Sequence, residues 1–154
     1  MIVGFAINKV ESARHVPLEE LQKYRNINVN YDINLRNPSA VKIPVVPEKV
    51  LRIEYSVAIN YINPSIGFIR FEGHCDYAGS RVEKTLKEWE QGKPDIAIQN
   101  EISNNMIARI IPLAMLLSQN LSLPPAAPLP VINFQKPGEP GETGEKDKFD
   151  SYHA

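Results

Sequence analysis

Apolar and polar residues alternate with a period of two in four separate stretches of the chain, and this alternation constrains the fold more than any other feature. The four stretches are Ile2–Val10, Ile27–Arg36, Val50–Ile62 and Ile66–Ala78. Successive side chains of a strand point to opposite faces, so each stretch predicts a strand with one buried and one solvated face. Because such strands normally belong to antiparallel sheets, we predict a four-stranded antiparallel sheet.

Prolines and polar residues separate the predicted strands. The Asn-Pro-Ser sequence at 63–65 predicts a turn that joins the third and fourth strands into a long hairpin. Pro17 begins a connection over Val16–Asn26 that has room for one or two helical turns. Pro38 begins a proline-rich loop before the third strand. On this interpretation no proline falls inside a strand, where it would remove a ladder hydrogen bond.

The hydrophobic period becomes that of helices after the sheet. Ser80 and Glu83 fit a capping box at the start of a short helix that ends near Gly92. A longer helix is predicted from about Glu101 to Asn120, and Pro112 is expected to kink it or split it in two. The fold class is therefore α+β, with a four-stranded antiparallel sheet followed by two helices packed on it.

The long helix is apolar over most of its circumference. Its main stripe contains Ile102, Met106, Ile107, Ile110, Leu113, Ala114 and Leu117. Further apolar residues lie well off that stripe, namely Ala108, Ile111, Met115 and Leu116. One sheet face cannot cover both sides, so another domain or another copy of the chain must bury the remainder. For an oligomer, the expected interface residues are Ile107, Ala108, Ile111 and Met115.

Proline-rich sequence follows the long helix. The residues from Leu121 to Phe134 are too apolar for a free linker and are expected to lie extended along the domain surface. Residues 135–154 are rich in Gly, Pro, Glu and Lys and predict a disordered tail. The expected organisation is thus one domain over 1–134 and a tail over 135–154.

The element order and the sequence Pro130-Val131-Ile132-Asn133-Phe134 resemble the SecB-like protein-export chaperones, which close their long helix region with a similar Pro-Val-Asn-Phe ending. Ile132 is an extra residue relative to that ending. In this resemblance Val16–Asn26 corresponds to the family's crossover loop. The resemblance implies a homotetramer, built as a dimer of dimers with helices layered between sheets. It also implies ATP-independent binding of unfolded polypeptides in surface grooves.

Two features depart from the family. The helix near Ser80–Gln91 is larger than the corresponding region of typical members. The tail has a different composition from the bacterial tail that contacts the translocation ATPase, so that partner is not carried over. The candidate client-binding residues combine the crossover loop with the proline-rich segment: Val16, Leu18, Leu21, Tyr24, Leu121, Leu123 and Leu129. The alternative is that these residues close the protein's own core.

Composition and charge weaken several other functions. The 17 Lys and Arg balance 18 Asp and Glu, a net charge of −1, whereas a nucleic-acid binder normally carries a basic excess. A single cysteine, Cys75, excludes an internal disulfide and a four-cysteine zinc site. His74 and Cys75 should point to opposite faces of a strand, and His74 with Asp76 is better explained as solvated polar alternation. No metal, cofactor or catalytic residue is predicted, and an enzyme is the weaker class.

The element order, the largely apolar long helix and the proline-rich closing segment, together with the resemblance to SecB-like chaperones, favour one function. It is that of a chaperone that holds unfolded or precursor polypeptides, with a contribution to protein export or folding. The alternative is a non-catalytic adaptor or assembly protein that binds one folded partner on the same scaffold. No membrane span or export signal is recognisable, which favours a cytoplasmic protein.

Overall fold

The computed structural model describes residues 1–126, Phe134 and the backbone of residues 152–153. Its long strands are β1 (Ile2–Arg14), β2 (Asn26–Lys42), β3 (Lys49–Ile62) and β4 (Gly67–Tyr77). Its helices are α1 (Leu18–Leu21), α2 (Val82–Glu90) and α3 (Ile96–Asn120), and a two-residue strand, β5, covers Tyr152–His153. The strands lie in the order β1-β4-β3-β2-β5, and every pair is antiparallel. The predicted α+β class, a four-stranded antiparallel sheet followed by helices, is confirmed.

Alternation is clearest in β3, which lies between β4 and β2. Its inward side chains are buried: Leu51, Ile53, Tyr55, Val57, Ile59 and Tyr61. The predicted hairpin joins β3 to β4, and Asn63 in its turn has a left-handed backbone with φ of 58°. Asparagine tolerates that conformation better than most residues because its short side chain bonds locally. The hairpin therefore brings the buried side chains of β3 and β4 together on one face of the sheet.

β1 packs closely against β4 around Tyr55. The Tyr55 hydroxyl donates a hydrogen bond to the carbonyl oxygen of Ala6 at 2.9 Å, and its ring stacks on Phe5 with centroids 5.3 Å apart. This bond crosses β4 at Gly73, where a Cβ would overlap the Ala6 carbonyl and lie 2.6 Å from the Tyr55 hydroxyl. Glycine is thus the residue that lets three strands approach at this point.

Pro38 lies inside β2, and the expectation that it begins a loop is wrong. The register between β2 and β3 shifts between Arg36 and Ser39, so a bulge accommodates the proline. Asn37, just before it, has a left-handed φ of 52°. Here β2 pairs on one side only within the described residues, so the missing proline N–H interrupts no inner ladder. The strand therefore continues to Lys42.

The helix starts differ from the predicted ones. No side chain caps α2: its N-cap position is Arg81, so the Ser80–Glu83 capping box does not form. The longer helix begins at Ile96 rather than near Glu101, because the Asp95 carboxylate accepts hydrogen bonds from the amides of Ala97 and Ile98 at 2.9 and 3.4 Å. A side-chain acceptor at this position satisfies amides that the first helical turn leaves unpaired.

The long helix α3 runs without interruption through Pro112, so the proline does not split it. A row of residues spaced by four is buried against the sheet, and it contains Ile102, Met106, Ile110 and Ala114. Leu113, predicted on the same stripe, is 39% exposed. Helix α3 contacts β4 and β1, while the shorter α2 contacts β2 and β3. The inner face of β2 thus receives the shorter helix.

We predict that Gly73→Ala destabilises the protein more than a typical surface substitution. The added methyl must displace the Ala6 carbonyl or the Tyr55 hydroxyl, and overpacking of this kind costs about 1–3 kcal/mol. The free energy of unfolding, measured by urea denaturation, should fall accordingly. His74→Ala is the matched control, because the adjacent His74 is only partly buried and bonds at 3.4 Å to the Asn8 amide. Equal stability of the two variants would contradict this close packing.

Candidate polypeptide-binding surface

Arg14, the last residue of β1, connects the two segments that the sequence proposed as one surface. Its Nε donates to the carbonyl oxygen of Val16 at 3.0 Å, and its Nη1 donates to that of Leu121 at 2.7 Å. Val16 begins the crossover loop and Leu121 caps the end of α3. A planar guanidinium with several fixed donors can satisfy two carbonyls at once, so one side chain holds both segments together.

Two further contacts hold the segment after α3 against the sheet. The Tyr61 hydroxyl donates to the carbonyl oxygen of Pro124 at 2.7 Å. Leu123 is 6% exposed and lies over Gly67, where a Cβ would come within 3.1 Å of its methyl groups. Burial raises the pKa of the Tyr61 phenol, so the hydroxyl remains a donor in this bond. Residues 121–126 are therefore fixed to the end of the β3–β4 hairpin.

An open apolar groove lies between the C-terminal half of α3 and residues 122–125. Its volume is about 690 Å³, and its lining is Pro112, Met115, Leu116, Ser118, Gln119, Ser122, Leu123 and Pro125. Met115 and Leu116 are 46% and 54% exposed. Unbranched methionine adapts to ligands of different shape, so this lining suits a range of apolar side chains. We call this feature the α3 groove.

The predicted client-binding residues divide by burial. Leu18 on α1 is 48% exposed, whereas Val16, Leu21, Tyr24 and Leu121 are partly buried and pack against the core. Leu123 belongs to the core and at the same time forms one wall of the α3 groove. Leu129 lies outside the described residues. Most of the described members of the predicted set thus close the core, and Leu18 is the one among them that is strongly exposed.

The outer edge of β2 forms a second accessible surface. From Asn28 to Arg36 the strand pairs in regular register with β3, and within the described residues its other edge pairs only at Asn26 and Ile27, with β5. The inward side chains along this stretch are only partly buried: Val29, Tyr31, Ile33 and Leu35. An edge with a half-covered apolar row offers backbone pairing and hydrophobic contact together. The crossover loop leads directly into this edge.

The predicted oligomer-interface residues have unequal exposure. Ile107 is 5% exposed and contributes to the core of the single chain. Ala108 is exposed, Ile111 is partly buried, and Met115 lines the α3 groove. Ala108, Ile111 and Met115 are spaced by three and four residues and so share one outward stripe of α3.

The titratable residues near the sheet are engaged in structural contacts. Burial raises the pKa of the Cys75 thiol to about 12, so it stays protonated and packs as a small apolar group. The Asp76 carboxylate accepts two hydrogen bonds from Arg52, at 2.7 and 2.9 Å. His74 faces Glu54 across the ladder and its Nδ1 lies 3.4 Å from the Asn8 amide, so it does not pair with Asp76.

Two properties bear on other functions. No group of three or more His, Cys, Asp or Glu side chains among the described residues could hold a metal ion. None of the helices in that part of the chain is long and apolar enough to span a membrane.

Sequence reasoning missed Arg14 and the β2 edge. A charged residue at the end of an alternating strand is expected to be solvated, and one of the two acceptors of Arg14 lies 107 positions away at Leu121, a contact that only the folded structure shows. The β2 edge follows from the strand order, which alternation alone does not determine. Met115 and Leu116 were recognisable as off-stripe apolar residues of the long helix.

We predict that Arg14→Met loosens residues 121–126. The substitution keeps an apolar stem but leaves the Val16 and Leu121 carbonyls without their donor, a loss of about 1–3 kcal/mol of unfolding free energy. Hydrogen exchange should become faster at residues 121–126, and urea denaturation should give the lower stability. Arg25→Met is the control, because Arg25 is an exposed residue of the same loop. Unchanged exchange at 121–126 would show that Arg14 does not hold this segment.

No protein-family model and no curated protein matches the chain. Among solved structures, the SecB-like chaperone of Mycobacterium tuberculosis in complex with a ChAD peptide from the HigA1 antitoxin is similar over 86% of this chain and 90% of its own. The sequence identity is 17% and the TM-score is 0.49.

Proposed function

We propose that this protein is an ATP-independent chaperone of the SecB-like type, which holds extended apolar segments of non-native polypeptides. The observation that carries the proposal is the accessible apolar surface that includes Leu18 and the α3 groove. Arg14 connects the two parts of this surface through the crossover loop and Leu121. Apolar patches of this kind on a folded domain mark sites of interaction.

The chemistry of the surface favours an unfolded client over a small polar ligand. The lining of the α3 groove is mainly leucine, methionine and proline, with two serines and one glutamine, so it can exclude water from many apolar side chains without selecting one. An unfolded chain exposes such side chains, whereas a folded partner has most of them buried. Holding them in the groove would lower the concentration of aggregation-prone segments.

The edge of β2 supplies the proposed backbone contacts. A client segment in extended conformation would add to the strand along Asn28–Arg36 and lay alternate side chains on the half-buried row of Val29, Ile33 and Leu35. Backbone hydrogen bonds are independent of side-chain identity, so this mode tolerates varied sequences. Binding therefore needs no cofactor and no ATP.

Assembly into a tetramer is part of the same proposal. The outward stripe of Ala108 and Ile111 would meet its counterpart on a second copy, as a layer of helices between sheets, with Met115 at the border between this interface and the α3 groove. Several binding sites in one particle then contact one long client, and the linked contacts give useful avidity from weak single ones. We place the binding domain in residues 1–134, the protein in the cytoplasm, and its role in protein export or folding.

We predict that Leu18→Glu and Leu116→Glu each weaken binding of reduced, carboxymethylated lactalbumin, a permanently unfolded client, by about tenfold. Both leucines are about half exposed, so a client that covers one of them gains roughly half of the 1.5–3 kcal/mol of a complete burial, and glutamate also places a carboxylate in an apolar surface. Fluorescence anisotropy of the labelled client measures the affinity. Light scattering of a client diluted from denaturant gives the loss of aggregation suppression.

Val45→Glu is the matched control for this experiment. Val45 is 80% exposed in the loop between β2 and β3, so the same chemical change leaves the proposed surface intact. Wild-type behaviour of all three variants would contradict the assigned surface. Failure of the wild-type protein to bind the unfolded client, together with capture of one folded partner, would favour the adaptor alternative.

We predict that multi-angle light scattering gives a mass of four times the 17.3 kDa chain. Ala108→Glu should shift the protein to smaller species, because it adds a charge to the outward stripe of α3. Val45→Glu should keep the tetramer. A monomeric wild-type protein at micromolar concentration would contradict the proposed assembly.

A further inference from the structure

Strand β5 occupies the end of the same edge that we propose for client binding. Its two residues, Tyr152 and His153, pair with Ile27 and Asn26 of β2. The register of β2 with β3 begins only at Asn28, so at 26–27 the strand pairs with β5 alone within the described residues. The C-terminal end of the chain therefore acts as an added strand on this edge.

The regular part of the β2 edge has two limits. The bulge between Arg36 and Ser39 ends it in one direction along the strand, and in the other direction β5 pairs with the adjoining residues 26 and 27. A client strand has Asn28–Arg36 available while β5 is in place, and Asn26–Arg36 when β5 has left. A long client and β5 thus compete for the same backbone groups.

The connection to the rest of the chain makes β5 an intramolecular competitor. The amide of Phe134 donates a hydrogen bond to the Asn100 side-chain oxygen at 2.8 Å, which fixes the start of the tail to α3. Residues 135–151 join Phe134 to β5, and a chain of that length can span roughly 55 Å. A tethered strand has an effective concentration in the millimolar range, so even a short strand can occupy its site.

We propose that β5 is an autoinhibitory strand, which a client must displace before it pairs with the full edge of β2. This inference rests on the proposed function, because it assigns a regulator to the same binding edge. Few backbone hydrogen bonds hold a two-residue strand, and each contributes little net stability, so β5 exchanges readily with a longer strand. Short segments bind beside β5, and longer ones bind only by displacing it.

The test uses the full chain with the double substitution Tyr152→Pro and His153→Pro, which removes both backbone donors of β5 and keeps the tail length. Lys146→Pro with Asp147→Pro is the control, since it adds the same residues upstream of β5. The probes are a labelled, alternating Val-Ser peptide of 11 residues and one of seven. Two further probes are versions of the 11-residue peptide that are N-methylated at every second amide. One version carries the methyl groups on the odd-numbered residues and the other on the even-numbered residues.

Hydrogen exchange gives a readout that does not depend on binding. The N–H groups of consecutive strand residues point to opposite edges, so one of the two amides of Asn26 and Ile27 faces β5. That amide should exchange faster in the Tyr152→Pro/His153→Pro protein than in the wild type or the control. The 11-residue peptide should bind this variant about three- to tenfold more tightly, a change that corresponds to about one net backbone hydrogen bond. The seven-residue peptide should bind all three proteins equally. Only one of the two N-methylated peptides should lose binding, because only the amides along one edge of the peptide face β2.

The outcomes separate the two proposals. Unchanged exchange at 26–27, or equal affinity of the 11-residue peptide for the three proteins, would overturn the autoinhibitory role and leave the binding edge in place. If no unmethylated peptide binds any of the three proteins, or if both N-methylated peptides bind like the parent peptide, the proposed pairing along β2 is overturned together with its regulation.

Discussion

The sheet buries one face only, and the rest of the structure depends on how far two helices can cover that face. The 25-residue α3 packs on β4 and β1, whereas the nine-residue α2 has to cover β2 and β3. The inner side chains of β3 are fully buried, while those of β2, such as Val29 and Ile33, stay partly exposed. Since hydrophobic stabilisation grows with the area removed from water, an apolar chain arriving here still gains free energy. The candidate surface thus follows from the uneven covering of one sheet.

A polar contact organises this apolar region. Irregular segments leave backbone carbonyls without a ladder partner, and the ends of the crossover loop and of α3 are such segments. Arg14 supplies donors to Val16 and Leu121, so the loop and the helix end keep a fixed relation although 107 residues separate Arg14 from Leu121. On the adjoining α1, Leu18 is 48% exposed, whereas Leu121 packs against the core. In this arrangement the charged residue sets the shape of the surface, and under the proposed function the apolar residues would provide its affinity.

Sequence predicted the features that depend on local periodicity. Alternation located β3 and β4 to within one residue at each end, because each has one clearly buried face. The exceptions arose where a longer-range constraint decides. Pro38 is tolerated because a bulge and an edge position meet there, and neither is visible in the residue order. The helix starts are a second exception: Asp95 caps α3, whereas Ser80 does not cap α2. The local sequence offers more than one side-chain acceptor near each helix start, and the path of the backbone decides which acceptor reaches the free amides. The α3 groove could be expected only as surplus apolar residues.

The two edges of the sheet have opposite character. β1 carries register irregularities between Ile2 and Gly4 and between Ile7 and Lys9, and Lys9 forms an ion pair with Glu11 at 2.9 Å. Bulges and charges of this kind oppose the addition of another strand. β2 is regular from Asn28 to Arg36 and already pairs with a strand from the same chain. Ordering a residue costs about 1–2 kcal/mol, while a backbone hydrogen bond returns about 0.5–1.5 kcal/mol, so a two-residue strand stays close to balance. A segment that also buries apolar side chains on the β2 row has the additional free energy that displacement requires.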